Sequence, residues 1–408
     1  MASARDRLFG SVGLSLGHVV VDRDTLLPRA LVQLPMLRPS EEGSSTGPRL
    51  SWGQGPSACQ VFLRITRPTR KLFRYGPRFS REAHAMNIIL AREGLALLPS
   101  ALHPLELPSS AAVQWAEQGS TLAHLRDALF DRGQAGMVYS SSARLFLPFQ
   151  GDEEFGRLHA AVRLMLPLVP ALAAASPFAE GRRTGFLDSR LEGCLHLGDR
   201  HPDLIGNFIP EAVFDQADYD REVLQPIGRV LGPLDPEGAV DYDQMNLRAA
   251  VAHFEHDVLE LRLVDRQECA SADVAVAELL IAVVKALVQG RWVSNYLQRV
   301  WQANDLLPLL LQTMKDGPRA VFANKEYLLM FGVLREPRLT AQRLWEHLYA
   351  EVGGQISDES RPWVERILRE GPLASRMLKH VGARVDEARL RTLCGRLMAC
   401  AEKDEPFI

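Results

Sequence analysis

Four short stretches of this sequence alternate apolar and polar residues with a period of two, and that alternation constrains the fold more than any other feature. Successive side chains of a strand point to opposite faces. In VLELRLV (258–264), Leu259, Leu261 and Leu263 share one face, with Glu260 and Arg262 on the other. In CQVFLRIT (59–66), Val61, Leu63 and Ile65 oppose Gln60, Phe62, Arg64 and Thr66. In SARLFLPF (142–149), Ala143, Leu145 and Leu147 oppose Ser142, Arg144 and Phe146, and in VGLSLGHVV (12–20), Leu14 and Leu16 oppose Ser15 and Gly17. Four oily faces call for one covering layer of helices. The four second faces then form the floor of a single cleft.

The remaining pattern supplies the helices. Ser80–Glu93 and 119–131 read as helical, and Leu95–Leu102 as extended. Asp152, Glu153 and Glu154 open a long apolar helix and suit its N-terminal dipole, with Pro167 and Pro170 expected to kink it. A second apolar helix follows 258–264, with Ser271 as expected N-cap and Gly290 as expected stop. Residues 1–34 read as a strand pair (Val12–Asp22, then Pro28–Leu34), 38–57 as a mobile Pro/Ser/Gly loop, and Glu180–Val240 as loop-rich. From Thr340 onward the chain is amphipathic and helical, with caps expected at Thr340 and Ser357. Trp345, Leu348, Trp363 and Ile367 lie on apolar stripes that would pack on the main domain or, alternatively, form a subunit interface. No regular strand–helix rhythm is present. The expected class is therefore α+β: a curved, mainly antiparallel sheet lining a funnel-shaped cleft with helices on its outer face. We expect one domain over residues 1–335 and a C-terminal helical extension over 336–408.

Composition narrows the function classes. With 47% hydrophobic and 24% charged residues, the 408-residue chain is neither disordered nor a disulfide-stapled miniature. Its 47 Lys+Arg against 50 Asp+Glu give no global reason to expect nucleic acid or a membrane as partner. The greasy stretch Val274–Val288 is broken by Glu278 and Lys285 and falls short of the ~20 residues of a membrane span. No apolar signal core opens MASARDRLFGSVG, and five scattered cysteines show no CxxC spacing, so a cytoplasmic location with free thiols is expected.

The blocks FGRLHAAVRLMLPLVPALAAASPFAEGRRTGFLDSRLE (155–192) and LELRLVDRQECASADVAVAELLIAVVKALV (259–288), with VDRDTL and LHPLE nearer the start, resemble the type 2 glutamate–cysteine ligases, the carboxylate–amine ligase group, over roughly residues 10–330. That resemblance implies a glutamine synthetase/glutamate–cysteine ligase-like funnel. In it, carboxylate-held Mg2+ carries ATP, a glutamate γ-carboxylate is phosphorylated, and an amine displaces phosphate.

Residue by residue, the resemblance is selective. The family's first strand reads Glu-Leu-Glu-Tyr, with both glutamates on metal; here it is Ser15-Leu16-Gly17-His18. The family's Glu-Leu-Lys-Thr becomes Phe62-Leu63-Arg64-Ile65, and His-(Ile/Leu)-Asn-Leu-Pro-Phe becomes Arg144-Leu145-Phe146-Leu147-Pro148-Phe149. Arg-Leu-Glu-x-x-Arg becomes Arg190-Leu191-Glu192-Gly193-Cys194-Leu195. Glu260 and Arg262 match, with Arg190 and Glu192 beside them. Scaffold positions agree while metal positions, here Ser15, Gly17, Phe62 and Arg144, are replaced. Unit charges ~4 Å apart interact by about 4 kcal/mol at an effective dielectric of 20, so exchanging several carboxylates for neutral or cationic groups removes the affinity for Mg2+ and its ATP. No cofactor is expected. A cleft with Arg64, Arg144, Arg190 and Arg262 would instead favour an anion, either a small molecule or an acidic peptide. The leading expectation is a degenerate ligase acting as partner or binding subunit in an ATP-dependent ligase pathway, or as a homo-oligomer. The rival is an active, divergent ligase using Glu260, Arg262 and Glu192, forming an amide between a glutamate-type carboxylate and an amine. A register shifted by two would leave Asp22, Asp24 and Glu106 as the nearest carboxylates.

Other features read as structural. His253 and His256, like His196 and His201, fit surface histidines better than a metal pair, and Cys194 and Cys269 fit buried thiols better than nucleophiles. No phosphate-cradling glycine loop or GxSxG elbow occurs. The basic run Arg64–Lys71 reads as a solvated strand end on which an acidic partner could dock.

Overall fold

The computed structural model describes residues 8–31, 49–105, 115–116, 119–130 and 140–408. Its main sheet has seven strands: β1 (Gly13–Asp22), β2 (Leu50–Gln54), β3 (Gln60–Ile65), β4 (Leu95–Leu98), β5 (Ser142–Pro148), β6 (Ala250–His253) and β7 (Val258–Asp265). They lie in the order β2-β3-β1-β5-β7-β6, with β4 pairing the end of β1, and every pairing is antiparallel. The four apolar faces read from the sequence are buried together, from Leu14 and Leu16 through Val61, Leu63, Ala143, Leu145 and Leu147 to Leu259 and Leu261.

Helices cover that oily face. They include α1 (Gly76–Leu90), α2 (Gly151–Met165), α3 (Val169–Ala173) and α5 (Ala270–Val288), whereas α4 (Ser189–Leu197) borders the cleft. Pro167 and Pro170 act as expected: a 3-10 turn, Leu166–Leu168, separates α2 from α3. The run Gly151–Ala173 is long and apolar enough to cross a bilayer, yet 94% of its apolar 18-residue window is buried inside the protein, so packing accounts for its apolarity. Four further helices close the chain: α6 (Ala341–Val352), α7 (Arg361–Glu370), α8 (Leu373–Val381) and α9 (Glu387–Lys403). Trp345, Leu348 and Ile367 are buried, and the Trp345 indole donates to the Leu168 carbonyl at 2.9 Å, tying α6 to the α2–α3 turn.

Several local expectations need correction. Leu50–Gln54 is a strand rather than loop, because Trp52 buries against the core. Helix α5 is capped at Cys269, while Ser271 is drawn to Asp404 through both its amide and its hydroxyl (3.0 and 2.6 Å). Helix α7 begins after Ser360, and Ser357 sits one turn earlier, its hydroxyl donating to Glu278 and accepting from the Ser360 amide. Strand β6 falls where the sequence offered only loop and two histidines. Residues 32–34, 38–48 and Glu106 lie outside the described residues.

Candidate functional site

Pairing register builds the cleft floor. One line across the sheet reads Ser51–Arg64–Ser15–Arg144, and the next reads Gly53–Phe62–Gly17. A bulge between Ala143 and Leu145 sets two residues of β7, Arg262 and Leu263, opposite Arg144. It also reverses the alternation beyond it, so that Asp265 pairs with Ser142 on the cleft side. The register expected from the sequence therefore holds up to the bulge. Asp22 and Asp24 are remote from this floor. The Asp22 carboxylate instead closes its own turn by accepting from the amides of Asp24 and Thr25.

Glu260 is the hub of the floor. Its carboxylate accepts from Arg262 Nε at 2.8 Å, His253 Nε2 at 3.0 Å and Arg144 Nη1 at 3.1 Å. Burial alone would raise its pKa, but Arg262 and Arg144, with the His253 and Arg262 hydrogen bonds, hold it well below the usual carboxylate range. His253 bridges onward, its Nδ1 lying 3.0 Å from the Asp243 carboxylate. Burial works against its charge, yet hydrogen bonds to Asp243 and Glu260 raise it to about 9. At neutral pH the imidazolium thus donates to two carboxylates, and three cations share two anions. One positive charge is left over. Arg144, 38% exposed, is the member that reaches solvent.

The other expected residues have separate fates. Arg190 is buried, its Nε bonding Asp265 at 2.5 Å and its Nη2 the Leu263 carbonyl at 2.7 Å. Beside it, burial and the neighbouring Asp265 charge raise the Asp188 carboxyl well above its ordinary value. Glu192 points elsewhere, pairing with His196 one helical turn on at 2.9 Å. Arg64 lies on the floor, with Nε 3.4 Å from the Ser51 hydroxyl.

Above this floor lies a cavity of about 380 Å³. Its described walls carry Arg126, Arg144, Arg190, Arg248 and Arg262, the rings of Phe62, Trp115 and Phe130, and the run Ser140–Ser142, with no Asp or Glu. Arg248 is clamped by Glu211 through two 2.6 Å bonds. Ser15, Gly17, Phe62 and Arg144 all line this cavity. Gly17 pairs with Phe62 across β1 and β3, and the Phe62 ring covers Gly53, where an added Cβ would lie only 2.6 Å from it. Among the described residues, no three His, Cys, Asp or Glu side chains converge as a metal site. Sequence reasoning took His253 for a surface histidine, whereas it is mostly buried between Asp243 and Glu260, and it did not single out Asp243 or Arg248.

Residues 65–391 match glutamate-cysteine ligase family 2. The chain belongs to that family. Glu260 and Arg262 sit on the cleft floor, and the donor set there, dominated by guanidinium groups, does not fit Mg2+, a hard cation that needs oxygen ligands. An uncharacterized protein of Archaeoglobus fulgidus is 24% identical over 326 residues, covering 79% of each chain. The crystal structure of the complex between the prokaryotic ubiquitin-like protein Pup and its ligase PafA is similar at a TM-score of 0.40 and 11% identity, covering 98% of this chain and 64% of that one. This chain therefore spans less than two thirds of the length of that relative.

Proposed function

We propose that this protein is a degenerate member of glutamate-cysteine ligase family 2: a non-catalytic partner or binding subunit whose cleft takes an anion in place of metal–nucleotide. One observation carries the reading. The sole floor carboxylate the family pattern retains, Glu260, is already engaged by three cationic donors, Arg144, Arg262 and His253, beside a cavity that is itself lined by arginines. Adding Mg2+ there would set a divalent cation against an excess positive charge. A carboxylate or phosphate would find the exposed part of the Arg144 guanidinium, with the Ser140–Ser142 hydroxyls nearby.

The test is calorimetric titration of the full chain with ATP and Mg2+, and separately with pyrophosphate in EDTA. The reading expects no metal-dependent nucleotide binding, together with pyrophosphate binding that Arg144→Ala weakens at least tenfold. Low-micromolar Mg–ATP affinity, with phosphate release dependent on glutamate and an amine, would establish the active-ligase alternative instead.

A further inference from the structure

The outer face of α1 carries a feature that the cleft does not use. Lys71, Arg74, Arg78 and Arg81 recur at spacings of three, four and three residues, and Ala85, Ile88 and Arg92 continue the same progression. At 100° per residue all seven fall on one side of the helical path that runs from Leu72–Tyr75 through α1. Phe79, Met86 and Leu90 are buried on the opposite side. Among the described residues, none of Lys71, Arg74, Arg78, Arg81 or Arg92 enters an ion pair. Arg78 lies over the Tyr75 ring at 5.1 Å and Arg74 over Phe73 at 5.7 Å. Ile88, in line with them, is 53% exposed. The face thus presents five cations along roughly 30 Å, with an uncovered apolar step between Arg81 and Arg92. Glu82 and Glu93 lie at its margin, and Glu402 pairs with His84 at the other edge.

We infer that this face docks an acidic protein segment that carries an apolar anchor for Ala85 and Ile88. Charge complementarity selects an anion, because five cations in one stripe stand out on a chain of net charge −3. The apolar step selects protein over nucleic acid. A polyphosphate backbone would gain nothing from Ile88 and would be repelled by Glu82, and Phe73, half-buried beneath Arg74, offers no open stacking platform. A single isoleucine is too little apolar surface to hold a lipid bilayer.

The test uses the full chain and three probes: a fluorescein-labelled 20-residue glutamate peptide with leucine at every seventh position, a labelled 20-nucleotide oligothymidylate, and vesicles containing phosphatidylserine. The peptide is expected to bind, weakening at least tenfold between 50 and 300 mM salt. The triple variant Arg74→Glu/Arg78→Glu/Arg81→Glu should lose at least tenfold. Ile88→Ala should lose a few-fold without changing the salt slope, and Arg335→Glu, an exposed charge elsewhere, should lose nothing. Should the triple variant fail to fold, Arg78→Glu alone and the salt titration of the natural chain carry the test. Equal peptide binding by the natural and reversed-charge chains, or tighter binding of oligothymidylate or vesicles than of peptide, overturns the inference.

Discussion

Replacing Glu260 by glutamine removes the one negative charge on which Arg144, Arg262 and His253 converge. The amide fills the same space, yet it brings a donor toward groups that are themselves donors. Taking one partner from a fully buried ion pair costs about 3–5 kcal/mol. Here Glu260 is 4% exposed, but Arg262 is 20% and Arg144 is 38% exposed, so solvent recovers part of that loss. About 2–4 kcal/mol is expected. For a chain of this length, with an unfolding entropy near 2.1 cal/mol/K per residue, the melting temperature should fall by about 2–5 °C. His253 supplies a second readout. Its proton is held more tightly in the folded than in the unfolded chain, so its stabilising contribution is complete below about pH 6.5. That contribution is lost as pH rises from there through about 9, and is at most about 3 kcal/mol. Glu260→Gln should lower the His253 pKa, measured by the imidazole proton shift in NMR, and flatten the decline of stability between pH 6.5 and 9. A variant with unchanged melting temperature and an unmoved His253 titration would refute the view of Glu260 as a neutralised structural hub.

Other expectations are more local. Gly17→Ala should cost about 1–2 kcal/mol in urea unfolding, because its Cβ would lie 3.0 Å from Ser141 Cβ and 3.1 Å from the Ser142 amide nitrogen. Phe407→Ala should cost about 3–4 kcal/mol, since the ring is fully buried 5.3 Å from the His380 ring and its backbone is bonded to Arg376 and Glu268; a chain lacking Phe407 and Ile408 should melt lower by a similar margin. Cys194 lines the cavity, but burial pushes its thiol up to about 11, so iodoacetamide at pH 8 should label it far more slowly than free cysteine until urea unfolds the chain. Rapid labelling of the folded protein would mean that the cavity opens wider than its walls indicate.

Period-two patterning made most of the cleft legible, because a half-buried strand must segregate its side chains. Ser15, Arg64 and Arg144 were assignable to one surface without coordinates, as were Gly17 and Phe62, and pairing register puts them in adjacent lines. Arg190 and Glu192 show the limit of such reading. Two residues apart on α4, they are sent to different partners: Arg190 inward to Asp265 and Glu192 outward to His196. Helical position fixed the divergence, but only packing decided which side faced the sheet. His253 was read as a surface residue because a four-residue strand is too short to stand apart from a loop.

The sequence by itself determined the layer architecture and the shared apolar face, since each depends only on local periodicity and residue chemistry. Tertiary structure alone decided who neutralises whom. The bulge that turns Asp265 toward Arg190, and the hairpin that carries His253 to within 3.0 Å of Glu260, arise from pairing between strands. Charge balance in a buried site depends on distances of a few ångströms between groups far apart in the chain, and no local pattern encodes them.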